Sequence, residues 1–360
     1  MKLENRLGQD FNSLAQRILY SYIATYPDFK PVTNSISFES QKQMHDFISD
    51  TLLLFYEHPE VLGVADEPDA YYENQAMNNS NPALIKSMEK IENKFADFIN
   101  LLIKIGKLGV VVEHNLIIQK KVWSITKLTK VKLESLGIIC DQTKEQWVLS
   151  LKKYPFIFSA WKGYSESDDV NATKISRVID FIYGKYYGRK YRAVDFFGRL
   201  IENKRVLNKL ENYFEANNFS YDNSDLAGKT RYAYVKWIKE YPRGETASMR
   251  TAFDWRKKNQ MILEFRLPQF RLMLHSYSQM DDELQKLVFY RLKICDSCGY
   301  CTQTDKSGKR PCLAMDLTYD GKTLKKCPLY PYLTWNYIKE EELNTMLKLF
   351  EFSESKLLAN

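Results

Sequence analysis

Five of the six cysteines in this 360-residue chain lie in one short segment near its C-terminal end. Cys295, Cys298 and Cys301 form a C-x2-C-x2-C triplet. Cys312 follows after ten intervening residues, and Cys327 follows after fourteen more, directly before a proline. A thiol cluster this dense, in a chain that begins without an export signal, is typical of a metal site. We therefore expect the C-terminal part to fold around a bound metal.

A zinc-type ion prefers four soft ligands in tetrahedral directions. A C-x2-C turn supplies two of them, and the others must come from elsewhere in the chain. The predicted ligands are Cys295, Cys298, Cys301 and Cys327, with Cys312 nearby as a substitute. The remaining cysteine, Cys140, is far away in sequence on a predicted strand, where we expect a small buried apolar residue.

An Asp-Gly pair at positions 320–321, between LTY and KTL, is a strong signal for a two-residue β-hairpin turn. The register that this turn imposes pairs Tyr319 with Lys322. Cys312 then lies on the same face as Cys327, as its diagonal neighbour. The hairpin is thus predicted to bring both distal cysteines to one end, beside the triplet.

Three kinds of cysteine chemistry compete for this pattern. Structural zinc needs only four thiolates and a small loop-rich module, and we predict zinc as the cofactor. An iron–sulfur cluster is the alternative, because C-x2-C-G-x-C with a remote Cys-Pro resembles the cluster-binding segments of bacterial ferredoxins. The three-residue spacing that leads to Cys-Pro in two-cluster ferredoxins is absent, which excludes that class. Disulfides conflict with a reducing compartment.

The segments CDSCGYCTQTDKSGKRP and CPLYPYLTW resemble the C-terminal motif of a family of cytosolic proteins from Gram-positive bacteria. In the N-terminal half, ISFESQKQMHDFISDTLLLFYEHP and YPFIFSAWK are similar to segments of the same family, so the resemblance spans the chain. The family motif contains the cysteine triplet and the Cys-Pro pair, and Cys312 falls outside it. No activity is attached to this family. The resemblance therefore implies a metal site and a cytoplasmic bacterial protein, and no particular reaction.

Charge is distributed unevenly along the chain, which has a net charge of +7. Residues 1–150 contain 16 Lys and Arg against 19 Asp and Glu, whereas residues 151–360 contain 36 against 26. A basic half is compatible with a polyanion, and nucleic acid is then the expected macromolecular partner; a basic surface that is only solvated is the alternative. One basic run alternates with tyrosines, which combines phosphate neutralisation with base stacking; its alternative role is a helix end with tyrosines packed inward. The candidate nucleic-acid residues are Lys185, Tyr186, Tyr187, Arg189, Lys190 and Arg192.

A second basic segment, KKVWSITKLTKVK at positions 120–132, is predicted to form a helix from about residue 121 to 136 that stops at Gly137. Together with the short hairpins predicted on either side, it loosely resembles a winged-helix arrangement. A helix of this kind can enter a nucleic-acid groove, although basic surface helices are far more common than recognition helices. The residues expected on its buried face are Val122, Ile125 and Leu136.

No sequence pattern of a common catalytic class is present. The four histidines lie far apart, and neither G-x-S-x-G nor H-E-x-x-H occurs. A phosphate loop and a dinucleotide fingerprint are also absent, and no apolar run approaches the ~18 residues of a membrane span. We therefore infer a cytoplasmic, non-enzymatic binding protein with no membrane partner. An iron–sulfur or redox protein, or an enzyme subunit, is the alternative.

The apolar periodicity predicts an α+β fold. Residues 1–160 are expected to form a mainly helical domain with small hairpins, and residues 170–290 an α+β domain. Residues 291–335 form the predicted cysteine-rich metal-binding module, which a C-terminal helix over 336–358 follows. Helices are predicted over 10–25, 40–57, 82–106, 121–136, 173–187, 193–201, 204–216, 268–276 and 281–293, and strands over 110–118, 138–140, 147–151, 230–238 and 261–267.

Overall fold

The chain forms two compact units. The computed structural model describes residues 13–24, 26, 28–64, 82–166, 181–182, 204–222, 234–241, 245–254, 260–295, 313–335 and 338–358. The first unit comprises Met1–Leu200, Ser224–Ala233 and Phe253–Asn259, and the second comprises Ile201–Asn223, Tyr234–Ala252 and Gln260–Asn360. Both units combine helices with β-strands, which confirms the α+β class. Among the described helices, none is long and apolar enough to cross a membrane.

The helices of the first unit bury an aromatic core. They include α1 (Leu14–Ala24), α2 (Phe38–Glu57), α3 (Pro82–Leu108), α4 (Lys127–Glu134) and α5 (Ile157–Ser165). Phe47 of α2 stacks on Trp161 of α5 with ring centroids 5.3 Å apart. The indole Nε1 of Trp161 donates to the carbonyl oxygen of Leu102 at 2.8 Å, which fastens α5 to α3. Packing of this kind, rather than helix propensity, supplies most of the stability of such helices.

Gly106 lies inside α3 and does not end it, contrary to the sequence prediction. A Cβ atom built at this position would come within 2.1 Å of the Oγ atom of Ser165 and 2.7 Å of Cδ1 of Trp161. Glycine is therefore required because α5 approaches α3 closely here. The helix continues to Leu108, directly before the first strand pair.

A four-stranded sheet follows α3 in the first unit. Its strands are β1 (Val110–Val112), β2 (Asn115–Gln119), β3 (Ile139–Gln142) and β4 (Gln146–Ser150), in the order β1-β2-β4-β3. The register pairs Val112 with Asn115, so a turn at Glu113-His114 divides the predicted strand over 110–118 into β1 and β2. Cys140 is buried in β3 opposite Leu149, and burial raises the pKa of its thiol to about 11. The predicted role of Cys140 as a small buried residue is confirmed.

Helix α4 is shorter than the sequence predicted. It begins at Lys127 because the Thr126 hydroxyl accepts the backbone N–H of Thr129 at 3.2 Å and caps the helix. Leu133 is its buried residue, and Ile125 is buried just before it. The predicted burial of Val122 is wrong, since this side chain is exposed, and Leu136 is only half-buried.

The second unit contains a five-stranded sheet in the order β11-β8-β7-β6-β5 and a separate two-stranded hairpin of β9 and β10. Its helices include α6 (Lys204–Ala216), α7 (Phe270–His275), α8 (Asp282–Arg291) and α9 (Glu340–Leu358). Its strands are β5 (Ser220–Asp222), β6 (Tyr234–Glu240), β7 (Thr246–Asp254), β8 (Gln260–Arg266), β9 (Met315–Tyr319), β10 (Lys322–Lys326) and β11 (Tyr332–Trp335). The helices predicted over 173–187 and 193–201 lie largely outside the described residues.

Three strands of the five-stranded sheet were not predicted. β7 lies in the middle of the sheet and buries Ala247, Ser248 and Met249, small or flexible side chains that carry no strand signal. β11 has only four residues, but Leu333 and Trp335 are fully buried, and Leu333 pairs with Phe265 of β8. β11 belongs to the predicted cysteine-rich module, and it completes the sheet of the second unit. The predicted boundaries of the three domains stay a prediction.

Candidate metal centre

The segment that carries Cys295 is positioned by helix α8. The Asp281 carboxylate accepts the backbone N–H of Leu284 at 2.8 Å and so starts the helix. At its other end the chain turns extended at Leu292, with φ −70° and ψ 145°. Leu292 is itself buried. Cys295 therefore follows three residues after a fixed helix end.

The segment that carries Cys327 is positioned by the β9–β10 hairpin. Asp320 and Gly321 have φ values of 47° and 70°, as a type I′ turn requires. The register pairs Tyr319 with Lys322 and continues to Met315 opposite Lys326, which confirms the predicted pairing. The hydroxyls of Thr318 and Thr323 lie 2.9 Å apart across the strands. Because the register is fixed by the turn, the position of Cys327 directly after β10 is fixed as well.

A short antiparallel contact joins these two segments. Ile294 and Lys326 form a β-bridge. The backbone N–H of Cys295 donates to the carbonyl oxygen of Lys325 at 2.8 Å, and the backbone N–H of Cys327 donates to that of Lys293 at 3.0 Å. Side chains alternate between the faces of a strand, so Cys295 and Cys327 lie on one face as diagonal neighbours, opposite the Lys326 side chain. Both cysteines are half-buried.

Lys326 holds the junction together from the opposite face. Its side chain is buried, and Nζ donates to the carbonyl oxygen of Leu292 at 2.9 Å. The same ammonium lies 5.4 Å from the ring centroid of Phe289. Leu292 is the C-cap residue of α8, so Lys326 satisfies a carbonyl group that the helix leaves open. Burial lowers the pKa of Lys326.

Aromatic contacts attach the hairpin to α8 on one side of the junction. The ring of Tyr319 lies 5.8 Å from Phe289 and 6.0 Å from Tyr290. On the other side, the ammonium of Lys293 lies 5.6 Å from the ring centroid of Tyr330. Burial and the nearby Glu264 carboxylate raise the pKa of Tyr330. The two cysteines therefore lie on a packed scaffold and not on an isolated loop.

The sequence reasoning missed Lys326 as a positioning residue, although one signal for it exists. The hairpin register that places Cys327 on one face places the preceding residue on the other, and a lysine at an inward position of a strand is unusual. The bridge to Ile294 carried no such signal. It joins residues more than thirty positions apart, and non-local pairings of this kind leave no local pattern.

The remaining predicted site residues lie outside the described part of the chain. These are Cys298, Cys301 and Cys312 of the cluster, and Lys185, Tyr186, Tyr187, Arg189, Lys190 and Arg192 of the tyrosine-rich basic run. The described residues contain no group of three or more His, Cys, Asp or Glu side chains that could hold a metal ion. They include two of the five cluster cysteines, Cys295 and Cys327, and the backbone brings these two together.

Comparison of the chain with protein-family models, with curated proteins and with solved structures gave no match. The residues of the site and the contacts that position them therefore carry the inference of function.

Proposed function

We propose that this chain is a cytoplasmic binding protein whose second unit is stapled by one structural zinc ion. The proposed ligands are Cys295, Cys298, Cys301 and Cys327, with Cys312 as the substitute. The observation that supports the proposal is the bridge between Ile294 and Lys326, which brings the first and the last of these cysteines onto one face. The two are 32 positions apart in sequence, so their proximity is a property of the fold.

The donor set suits zinc on chemical grounds. Thiolates are soft ligands, and four of them in a closed shell are typical of a structural zinc site. Cys295 begins the C-x2-C-x2-C triplet, so the triplet starts at the residue that the bridge fixes. A structural ion would add folding free energy to the β9–β10 hairpin, which pairs outside the five-stranded sheet of the second unit.

An iron–sulfur cluster is the competing occupant of the same thiolates. The C-x2-C-G-x-C pattern with Cys-Pro favours it, and it would make the chain a redox protein or an enzyme subunit. Elemental analysis and the visible spectrum of the purified chain separate the two. We expect a colourless protein with about one zinc ion per chain. A brown protein with iron and absorption near roughly 400 nm would overturn the zinc proposal.

We further propose nucleic acid as the partner of this binding protein, because residues 151–360 carry 36 Lys and Arg against 26 Asp and Glu. The tyrosine-rich basic run is the proposed contact. Neutralising Lys185, Arg189, Lys190 and Arg192 is expected to lower the slope of log K against log salt by about 3–4 for duplex DNA. Replacing Tyr186 and Tyr187 with Ala is expected to weaken single-strand binding by ~1–3 kcal/mol per stacked base. Wild-type protein that binds neither DNA nor RNA at low salt would end this part of the proposal.

A further inference from the structure

Helix α4 of the first unit carries a concentration of positive charge that its surroundings do not share. Residues 115–134 contain five lysines and one acidic residue, Glu134, which pairs with Lys130 at 3.7 Å, within an N-terminal stretch of 150 residues that is net acidic. The five are Lys120, Lys121, Lys127, Lys130 and Lys132. A basic segment within a net acidic stretch of sequence is a more specific signal for an anionic partner than a uniformly basic protein would be.

One face of the helix is exposed. Leu133 is the buried residue of α4, whereas Leu128 and Val131 are 68% and 55% exposed, and Val122 in the preceding turn is 56% exposed. Leu128 and Val131 are three positions apart and therefore share one face of the helix. Lys127 is exposed four positions before Val131 on the same face, and Lys121 is exposed in the turn before the helix. This outward face thus combines ammonium groups with uncovered aliphatic side chains.

The segment before the helix is fixed to the β3–β4 hairpin. The backbone N–H of Lys120 donates to the carbonyl oxygen of Glu145 at 2.8 Å, and its Nζ donates to that of Thr143 at 2.6 Å. The Nζ atom also lies 5.1 Å from the ring centroid of Trp147. Lys144 is exposed in the turn of the same hairpin. Lys120 thereby fixes the segment before α4 to this hairpin, whose exposed residues also include Asp141 and Glu145.

We propose that this α4 surface binds duplex DNA, with the helix in the major groove. The inference rests on the proposed nucleic-acid partner and assigns it a binding surface in the first unit. Lysines contact phosphates on either side of the groove, and Leu128 and Val131 lie against the methyl groups of thymine, which only the major groove presents. Duplex RNA is disfavoured because its major groove is too narrow for a helix.

A protein partner fits the same surface less well. Protein interfaces are depleted in lysine and rely on buried Trp, Tyr or Arg anchors over ~800 Å² on each side. The outward face of α4 offers two aliphatic side chains among lysines, and none of the residues 127–134 is aromatic or arginine. The lysines of this surface therefore favour the phosphate backbone of DNA over a protein partner.

The experiment is a fluorescence titration of the full chain with a labelled thymine-containing duplex of about 20 base pairs, or two helical turns, from about 50 to 200 mM salt. The double variant Lys121→Gln/Lys127→Gln is expected to lower the log K against log salt slope by about 1.8, or about 0.9 for each charge. The matched control is Lys86→Gln/Lys90→Gln. It removes the same charge from exposed positions near the start of α3, and we expect the wild-type slope.

The aliphatic contact has a separate test. A duplex with uracil in place of thymine lacks the methyl groups, and wild-type protein is expected to bind it about fourfold more weakly for each methyl that the side chains cover. The variant Leu128→Ser/Val131→Ser is expected to bind both duplexes equally. Both positions are exposed, so folding is not at risk.

Three outcomes would overturn the inference. If the Lys121/Lys127 and Lys86/Lys90 variants lower the slope equally, α4 is not the contact. If binding is lost only when Lys185, Arg189, Lys190 and Arg192 are neutralised, the nucleic-acid partner stands but its surface lies elsewhere. If polyglutamate displaces the protein as effectively as unlabelled duplex, the surface is one for acidic polypeptides.

Discussion

Lys326 shows how one side chain can set the geometry of a site that it does not enter. Its stem crosses the buried side of the junction, its ammonium caps α8 at Leu292, and its backbone pairs with Ile294. Both cysteine-bearing segments therefore depend on one residue that lies beside Cys327 but faces the other way. A buried lysine with a neutral partner is costly, which is consistent with its lowered pKa.

We predict that Lys326→Ala lowers the free energy of unfolding of the second unit by about 1–3 kcal/mol, because the carbonyl of Leu292 loses its donor and the stem loses its packing. Chemical denaturation of the wild type and the variant measures this difference in the free energy of unfolding. The matched control is Lys325→Ala, a neighbouring exposed side chain, for which we expect a change within about 0.5 kcal/mol. Equal effects of the two substitutions would show that the buried contact contributes nothing.

Tyr154 makes the stability of the first unit depend on pH. Its hydroxyl donates to Oδ2 of Asp50 at 2.6 Å, and Lys153 pairs with the same carboxylate. Burial, together with the hydrogen bond to Asp50, raises the pKa of Tyr154 to about 12. A phenol with a raised folded-state pKa contributes stability that is complete below its unfolded value of about 10 and is lost as the pH rises through 12.

We therefore expect the stability of the first unit to fall between about pH 10 and pH 12, and Tyr154→Phe to reduce this fall. Hydrogen exchange, measured separately for the amides of each unit, follows this change in stability. Tyr277→Phe is the control, since the pKa of Tyr277 is also raised to about 12 but this residue belongs to the second unit. An unaltered pH profile of the first unit in Tyr154→Phe would contradict the assignment.

At the scale of elements, the β9–β10 hairpin was predictable down to its register, and helix α4 was not. Asp320-Gly321 restricts the turn to one conformation, and every pair in the hairpin follows from it. The start of α4 depends on whether Thr126 caps or continues the helix, and the lysines on both sides of it are equally compatible with either. Local chemistry therefore specifies a turn more sharply than it specifies a helix boundary.

The hairpin turn also offers an element-scale test. Gly321 has φ 70° and no heavy atom within 4 Å of a Cβ built on it, so Gly321→Ala imposes backbone strain without a clash. We predict a loss of about 1–2 kcal/mol in the second unit and weaker metal binding, because the register of β10 positions Cys327. Competition with a chelator measures the affinity.

Gly63→Ala is the matched control. Gly63 has φ 71° and equally open surroundings, but it lies in the first unit. The strain should be similar and the metal affinity unchanged. Weaker metal binding in Gly63→Ala, to the same degree as in Gly321→Ala, would show that the turn has no specific role at the site.

For the whole molecule, the sequence indicated the fold class and the cysteine cluster, while the pairings between distant segments came only from the structure. The bridge between Ile294 and Lys326 and the pairing of Leu333 with Phe265 join residues far apart in the chain. Strand β7 pairs with its sequence neighbour β6, but its side chains, such as Ala247 and Ser248, carry no strand signal, and burial in the sheet is what selects them. The site is assembled by the same non-local pairings.

The metal content of cysteine variants tests the central proposal, that Cys295 and Cys327 share one metal shell. Cys327→Ser, made together with Cys312→Ser so that only three cluster thiolates remain, should lose most of its zinc after a brief challenge with chelator, because three thiolates make an incomplete shell and metal affinity and folding are linked. Cys140→Ser, at the buried thiol of the first unit, should keep about one zinc ion per chain, as the wild type does. A Cys312→Ser/Cys327→Ser chain that retains zinc as fully as Cys140→Ser would contradict the proposal.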